Sequence, residues 1–67
     1  MKLTDFGPRL RALRGDMRLT LAEVSGRTGI AAETLSRIET GARQPSMPTA
    51  QRVLDGLGMT AEQFFRP

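Results

Sequence analysis

Apolar residues recur along this chain at intervals of three and four rather than two, and glycine and proline divide the pattern into five short segments. That spacing predicts helices throughout and no competing strand. The first helix opens near Thr4 or Asp5, either of which can cap it, with Pro8 in the first turn, where its missing N–H leaves no bond unmade. Phe6, Leu10, Leu13 and Met17 form its expected buried stripe, and Arg9, Arg11, Arg14 and Arg18 share the outer surface with Asp16. The second helix starts at a capping box, Thr20 with Glu23, with Leu19 placed to staple against Val24, and runs to Thr28 before Gly29. Gly26 weakens this two-turn helix, which packing must therefore hold.

A three-residue turn, Gly29-Ile30-Ala31, leads to a third helix from Ala32 to Thr40, closed by Gly41. Leu35 and Ile38 are expected to face inwards with Ile30 and Val24, which leaves Ala32, Glu33, Thr34, Ser36 and Arg37 as a short-chained polar face. After the loop Ala42-Arg43-Gln44-Pro45, Ser46 caps a fourth helix with Pro48 in its first turn. Its expected inner stripe is Met47, Ala50, Val53, Leu54 and Leu57, and Gly58 ends it. A second capping box, Thr60 with Gln63, opens a fifth helix carrying Phe64 and Phe65.

Composition narrows what such a bundle can do. Sixty-seven residues allow one domain, and a chain of this size hides only about 60% of the surface it exposes when unfolded. With no cysteine and no histidine, disulfides, thiolate ligation, the commonest metal ligand and the usual general base are all missing. No nucleophile–base pair or metal cluster remains, so an enzyme is not expected, and neither a cofactor nor a metal is implied. Ten basic residues face seven acidic ones, for a net charge of +3. Nine of the ten are arginine, the cation that pairs bidentately with phosphate and guanine. A solvated basic face would have the same composition. The chain shows no signal-peptide pattern and no apolar run near the roughly 18 residues of a membrane span, so a cytoplasmic location is expected.

Two short helices joined by a three-residue turn containing glycine, within so small a helical bundle, form a helix-turn-helix unit at about residues 20–40. Ser25 is small where the two helices cross, Gly29 permits the turn, and Val24, Ile30, Leu35 and Ile38 fix the angle. Bundles without a DNA target also contain this hairpin. Its sequence resembles the lambda-repressor-like domains of the Cro and XRE type over nearly the whole chain. The likeness rests on Leu10-Arg11-Ala12-Leu13-Arg14, on Leu19-Thr20-Leu21-Ala22-Glu23-Val24-Ser25, and on Gly29-Ile30. Its longest part is the run Thr34-Leu35-Ser36-Arg37-Ile38-Glu39-Thr40-Gly41-Ala42-Arg43-Gln44-Pro45. The resemblance implies an all-α, compact five-helix bundle occupying residues 1–67 as a single domain. It also implies sequence-specific binding of double-stranded DNA by a transcriptional regulator, a repressor in the commonest form, of prokaryotic or phage type and associated with the nucleoid.

By the same resemblance, base edges are read by Ala32, Glu33, Thr34 and Arg37. Arg37 can bind guanine bidentately, Glu33 can accept from a cytosine amino group, and Ala32 or the Thr34 methyl can touch a thymine methyl. Glu33 equally suits the first turn of a helix for its effect on the dipole. Phosphate contacts are implied for Thr20 and Leu21 at the start of the second helix, and for Ser36, Thr40, Arg43 and Gln44. Two positions depart from the family pattern. Leu21 stands where many relatives have glutamine, and Ala31 where Ser or Thr caps the reading helix. Arg14 and Glu39 match a pair that bridges the first and third helices in the family.

Relatives bind as homodimers, and Met59, Phe64 and Phe65 are the expected dimer surface, although Phe64 can instead simply complete the core, as is expected of one of the two aromatics. A different class of function, an antitoxin-like or anti-repressor protein-interaction module whose arginines pair with an acidic partner, would show no duplex binding. Arg14-Gly15-Asp16 spells an adhesion tripeptide, but it closes a helix here and is too short to carry weight.

Overall fold

The computed structural model describes residues 3–66. A 3-10 turn, Leu3–Asp5, leads directly into α1 (Phe6–Asp16), followed by α2 (Leu21–Thr28), α3 (Ala32–Thr40), α4 (Met47–Leu57) and α5 (Ala61–Phe65). No strand occurs among the described residues. Met1, Lys2 and Pro67 lie outside them. Both capping boxes form: Thr20 and Thr60 accept from the backbone N–H of Glu23 and Gln63, whose side chains accept in return from the cap backbone. Ser46 accepts from the Thr49 N–H at the head of α4. Asp5 behaves differently from the expected cap. Its backbone is already helical, with φ −90° and ψ −5°, and its side chain makes no capping bond, because the preceding 3-10 turn feeds straight into α1.

The helices α2, α3 and α4 each end on a left-handed glycine, Gly29, Gly41 and Gly58. The end of α1 instead places Arg18 in that conformation, at φ +55°. Two backbone bonds close this turn, from the Arg18 N–H to Gly15 O at 3.0 Å and from the Leu19 N–H to Arg14 O at 3.0 Å. This is the Schellman pattern with arginine where glycine usually stands, at a cost of about 1 kcal/mol.

One core joins all five helices: Phe6, Leu10, Leu19, Val24, Ile30, Leu35, Ile38, Ala50, Val53, Leu54, Leu57 and Phe64. The ends of two expected stripes fall outside it. Met17 is 39% exposed and Met47 59%, since each sits at a helix terminus where the apolar stripe runs past the edge of a small core. Phe64 is fully buried and stacks on Phe6 at a centroid distance of 4.6 Å. A stacked aromatic pair adds about 1 kcal/mol beyond burial. The Phe64 ring is therefore core, which removes it from the expected dimer surface. Phe65 packs edge-on against Phe64 and is only half-buried.

Two helix crossings depend on glycine. A Cβ on Gly7 would overlap the carbonyl of Ile38, so α1 and the end of α3 meet backbone to backbone. On Gly56 it would lie 2.6 Å from Thr28 Cγ2 and 2.9 Å from Arg27 O, so α4 also presses closely on α2, though less tightly. Gly26, by contrast, has open space where its Cβ would be.

Candidate nucleic-acid interface

The hairpin formed by α2 and α3 owes its angle to groups at its turn. Thr28 is buried, and its hydroxyl donates to Val24 O at 2.8 Å while accepting from the Ile30 N–H at 3.2 Å. One side chain thereby satisfies two backbone groups across the turn and fixes the step from α2 to α3. Ile30, Leu35 and Ile38 then anchor α3 in the core on one side. Ala31 precedes α3 with no side-chain cap, so the first N–H groups of α3 have no partner from that residue.

Arg14 ties the pieces together. Its Nε and Nη2 donate to the two carboxylate oxygens of Glu39 at 2.7 and 3.1 Å, and its Nη1 donates to Leu19 O at 2.9 Å. Glu39 is 5% exposed and Arg14 22% at the side chain, so this bidentate pair is largely withdrawn from water. The bond to Glu39 raises the Arg14 pKa further above its ordinary value, so the guanidinium stays charged. Through this one group the last turn of α3, the approach to α2 and the body of α1 are held in register.

The outward face of α3 carries Glu33 and Arg37, both exposed, with Ala32, Thr34 and Ser36 half-buried beside them. Arg37 Nη2 and Glu33 Oε1 form an ion pair at 2.6 Å. With the two side chains 60% and 75% exposed, such a pair is worth at most a few tenths of a kcal/mol and separates readily. Thr40 donates its hydroxyl to Arg37 O at 3.2 Å, and the Arg43 N–H bonds the same carbonyl at 3.2 Å, which pins the following loop to the end of α3. The side chains of Arg43 and Gln44 are exposed.

At the head of α2 the Thr20 hydroxyl and N–H are engaged by Glu23 at 3.0 and 2.9 Å. These bonds hold the exposed Glu23 carboxyl below the usual carboxylate range. Leu21 is half-buried and packs against the core, so its side chain is apolar support rather than a polar contact. The expected site residues thus divide. Arg14 pairs with Glu39, Thr40 and Arg43 share the Arg37 carbonyl, Glu33 and Arg37 form the outer face of α3, and Thr20 opens α2, while Met59 and Phe65 lie half-buried at the other end of the chain.

Several residues that place this face were not evident in the sequence. Gly7 and Gly56 carried no expectation at all, because the residues they meet, Ile38 and Thr28, are distant in sequence. The Thr28 hydroxyl closes the hairpin turn. Arg9 reaches across from α1 to donate to Phe64 O at 2.7 Å and to Arg66 O, and so docks the end of α5. A glycine inside a helical pattern is the one signal that could have pointed to the crossings, but Gly15 and Gly26 share that pattern and stand in open space, so the pattern does not single out Gly7 and Gly56.

A five-helix bundle presenting a short, polar-faced second hairpin helix defines a helix-turn-helix protein. The chain belongs to the helix-turn-helix domain family, whose model matches residues 5–64, in agreement with the lambda-repressor-like resemblance. Its relatives include an uncharacterized HTH-type transcriptional regulator of Mycobacterium bovis, 38% identical over 66 residues. Two such regulators from strains of Mycobacterium tuberculosis match equally. The matched region is 98% of this chain and 26% of each relative, so the chain spans about a quarter of their length. No solved structure gives a significant match.

Proposed function

We propose that residues 1–67 act as one sequence-specific, double-stranded DNA-binding unit of a transcriptional regulator, entering the major groove with the start of α3. The observation that carries this reading is the outer face of α3: exposed Glu33 and Arg37, flanked by small residues, on a helix fixed from behind by the Arg14–Glu39 pair. Arg37 would exchange its weak surface pair with Glu33 for the O6 and N7 atoms of guanine, and Glu33 would accept from a cytosine amino group. Ala32 and Thr34 are short enough to let the helix approach and to touch a thymine methyl. Relatives named as transcriptional regulators support the same reading.

In this proposal the Thr20 hydroxyl, the Leu21 N–H and the side chains of Ser36, Thr40, Arg43 and Gln44 contact phosphates. Leu21 contributes only its N–H, as an N-terminal helix dipole favours an anion without any side chain. One short helix reads few base pairs, so the regulator would act as a homodimer on a two-fold symmetric operator, with half-sites about 34 Å apart. Met59 and Phe65 supply the apolar part of that contact, without the buried Phe64. Occupying a promoter needs no further surface, which makes repression the outcome this domain can produce by itself. Binding, with no covalent step, is the whole of its activity.

Titrating a labelled mixed-sequence duplex at increasing salt tests the proposal. Neutralising several phosphates predicts a steep linear fall of log K with log salt. Absence of duplex binding at low salt would instead favour a protein-interaction module.

A further inference from the structure

Among the described residues, Arg18 is alone in holding a positive φ without being glycine. It occupies the position at the end of α1 that Gly29, Gly41 and Gly58 fill at the ends of α2, α3 and α4. Glycine would adopt this conformation freely, whereas a side chain is disfavoured there, and nothing in the local packing asks for arginine. Its side chain is exposed and makes no hydrogen bond or ion pair among the described residues. The neighbouring Arg14 is different, since its charge is spent on Glu39 and Leu19 O. The corner between α1 and α2 therefore carries one uncommitted guanidinium, two residues before the Thr20 cap. Strain kept at an exposed, unpartnered cation is a sign that the side chain is used.

We infer that Arg18 is a phosphate-binding residue of the DNA interface, set at the α1–α2 corner to engage the duplex backbone beside the head of α2. This rests on the DNA-binding reading above. It supplies at that corner the polar contact that the side chain of Leu21, packed on the core, does not make. Because the contact is to phosphate, Arg18 adds affinity without base preference, and its left-handed backbone holds the side chain off the ends of both helices and in solvent.

The two properties make opposite demands on one substitution. In the full chain, Arg18→Gly should raise Tm by roughly 4 °C, the shift expected for relief of a small conformational cost in a domain of this size. The same variant should weaken binding to a mixed-sequence duplex roughly three- to tenfold at moderate salt and make the slope of log K against log salt shallower by about 0.9. Arg18→Lys should keep most of that slope. Arg52→Gln, which removes an exposed charge from α4, serves as the matched control and should lose less affinity. The inference is overturned if Arg18→Gly binds with unchanged slope, if Arg52→Gln loses as much, or if Tm falls. A wild-type chain that does not bind duplex at all overturns the DNA-binding reading itself, and this inference with it.

Discussion

The Arg14 guanidinium donates to Glu39 at the end of α3 and to Leu19 O just before α2. Truncating Glu39 would leave this charge, largely withdrawn from water, without its partner, at a cost of about 3 kcal/mol. Glu39→Ala should therefore lower Tm by more than about 10 °C, and an unchanged Tm by circular dichroism would show that the pair holds nothing. Glu23 allows a second test through pH. Its carboxyl lies below the usual range because it accepts from Thr20 in the folded chain. Its contribution is therefore fully present above the unfolded value and is lost as pH falls through the lowered folded value. Melting curves across the acid range should show a smaller loss of Tm with falling pH in Glu23→Gln than in wild type; parallel curves would contradict this. Both capping boxes were legible in the sequence because each joins residues three apart, whereas the burial of Phe64 stood only as an alternative to its place on the dimer surface. Adjacent helical positions point about a quarter-turn apart, and only the path of α5 across α1 decides which enters the core.

At the scale of elements, the orientation of α3 depends on how closely its neighbours approach. Gly7 lets α1 meet the Ile38 backbone, and Gly7→Ala should cost about 3 kcal/mol by forcing the two helices apart. Gly26→Ala, in a helix with free space at that position, should instead stabilise the fold by about 0.5–1 kcal/mol. Chemical denaturation of the two variants checks the contrast, and equal signs would contradict the packing described. The starts of α2, α4 and α5 and the ends of α2, α3 and α4 followed from caps and glycines, which act locally, whereas α1 grows out of a 3-10 turn and ends on Arg18. The close crossings did not follow from local signals, because Gly7 meets residues of α3 that no periodicity links to it. Met17 and Met47 matched their stripes by spacing, yet they stay exposed because each lies at the last or first turn of its helix, beyond the rim of the core. Ala31 leaves α3 without a side-chain cap. Ala31→Ser should add about 1 kcal/mol, and denaturation would show it as a higher midpoint.

At the scale of the whole described domain, with extents of 25 × 23 × 19 Å, the proposed base contacts come from the single short helix α3, and one such helix reads few base pairs, which is the ground for proposing two copies on one operator. The polar face of α3 was legible as a candidate from pattern and resemblance together. That Glu33 and Arg37 pair with each other in the free chain was not, since the sequence places them one turn apart without saying whether either is otherwise engaged. The central claim is that this face reads bases, and selection from a random duplex library with wild type and Arg37→Ala in parallel tests it most directly. The account predicts a two-fold symmetric motif for wild type and, for the variant, loss of preference at the guanine position while the rest of the motif survives. A wild-type selection with no enriched motif, or a motif that Arg37→Ala leaves intact, would contradict it.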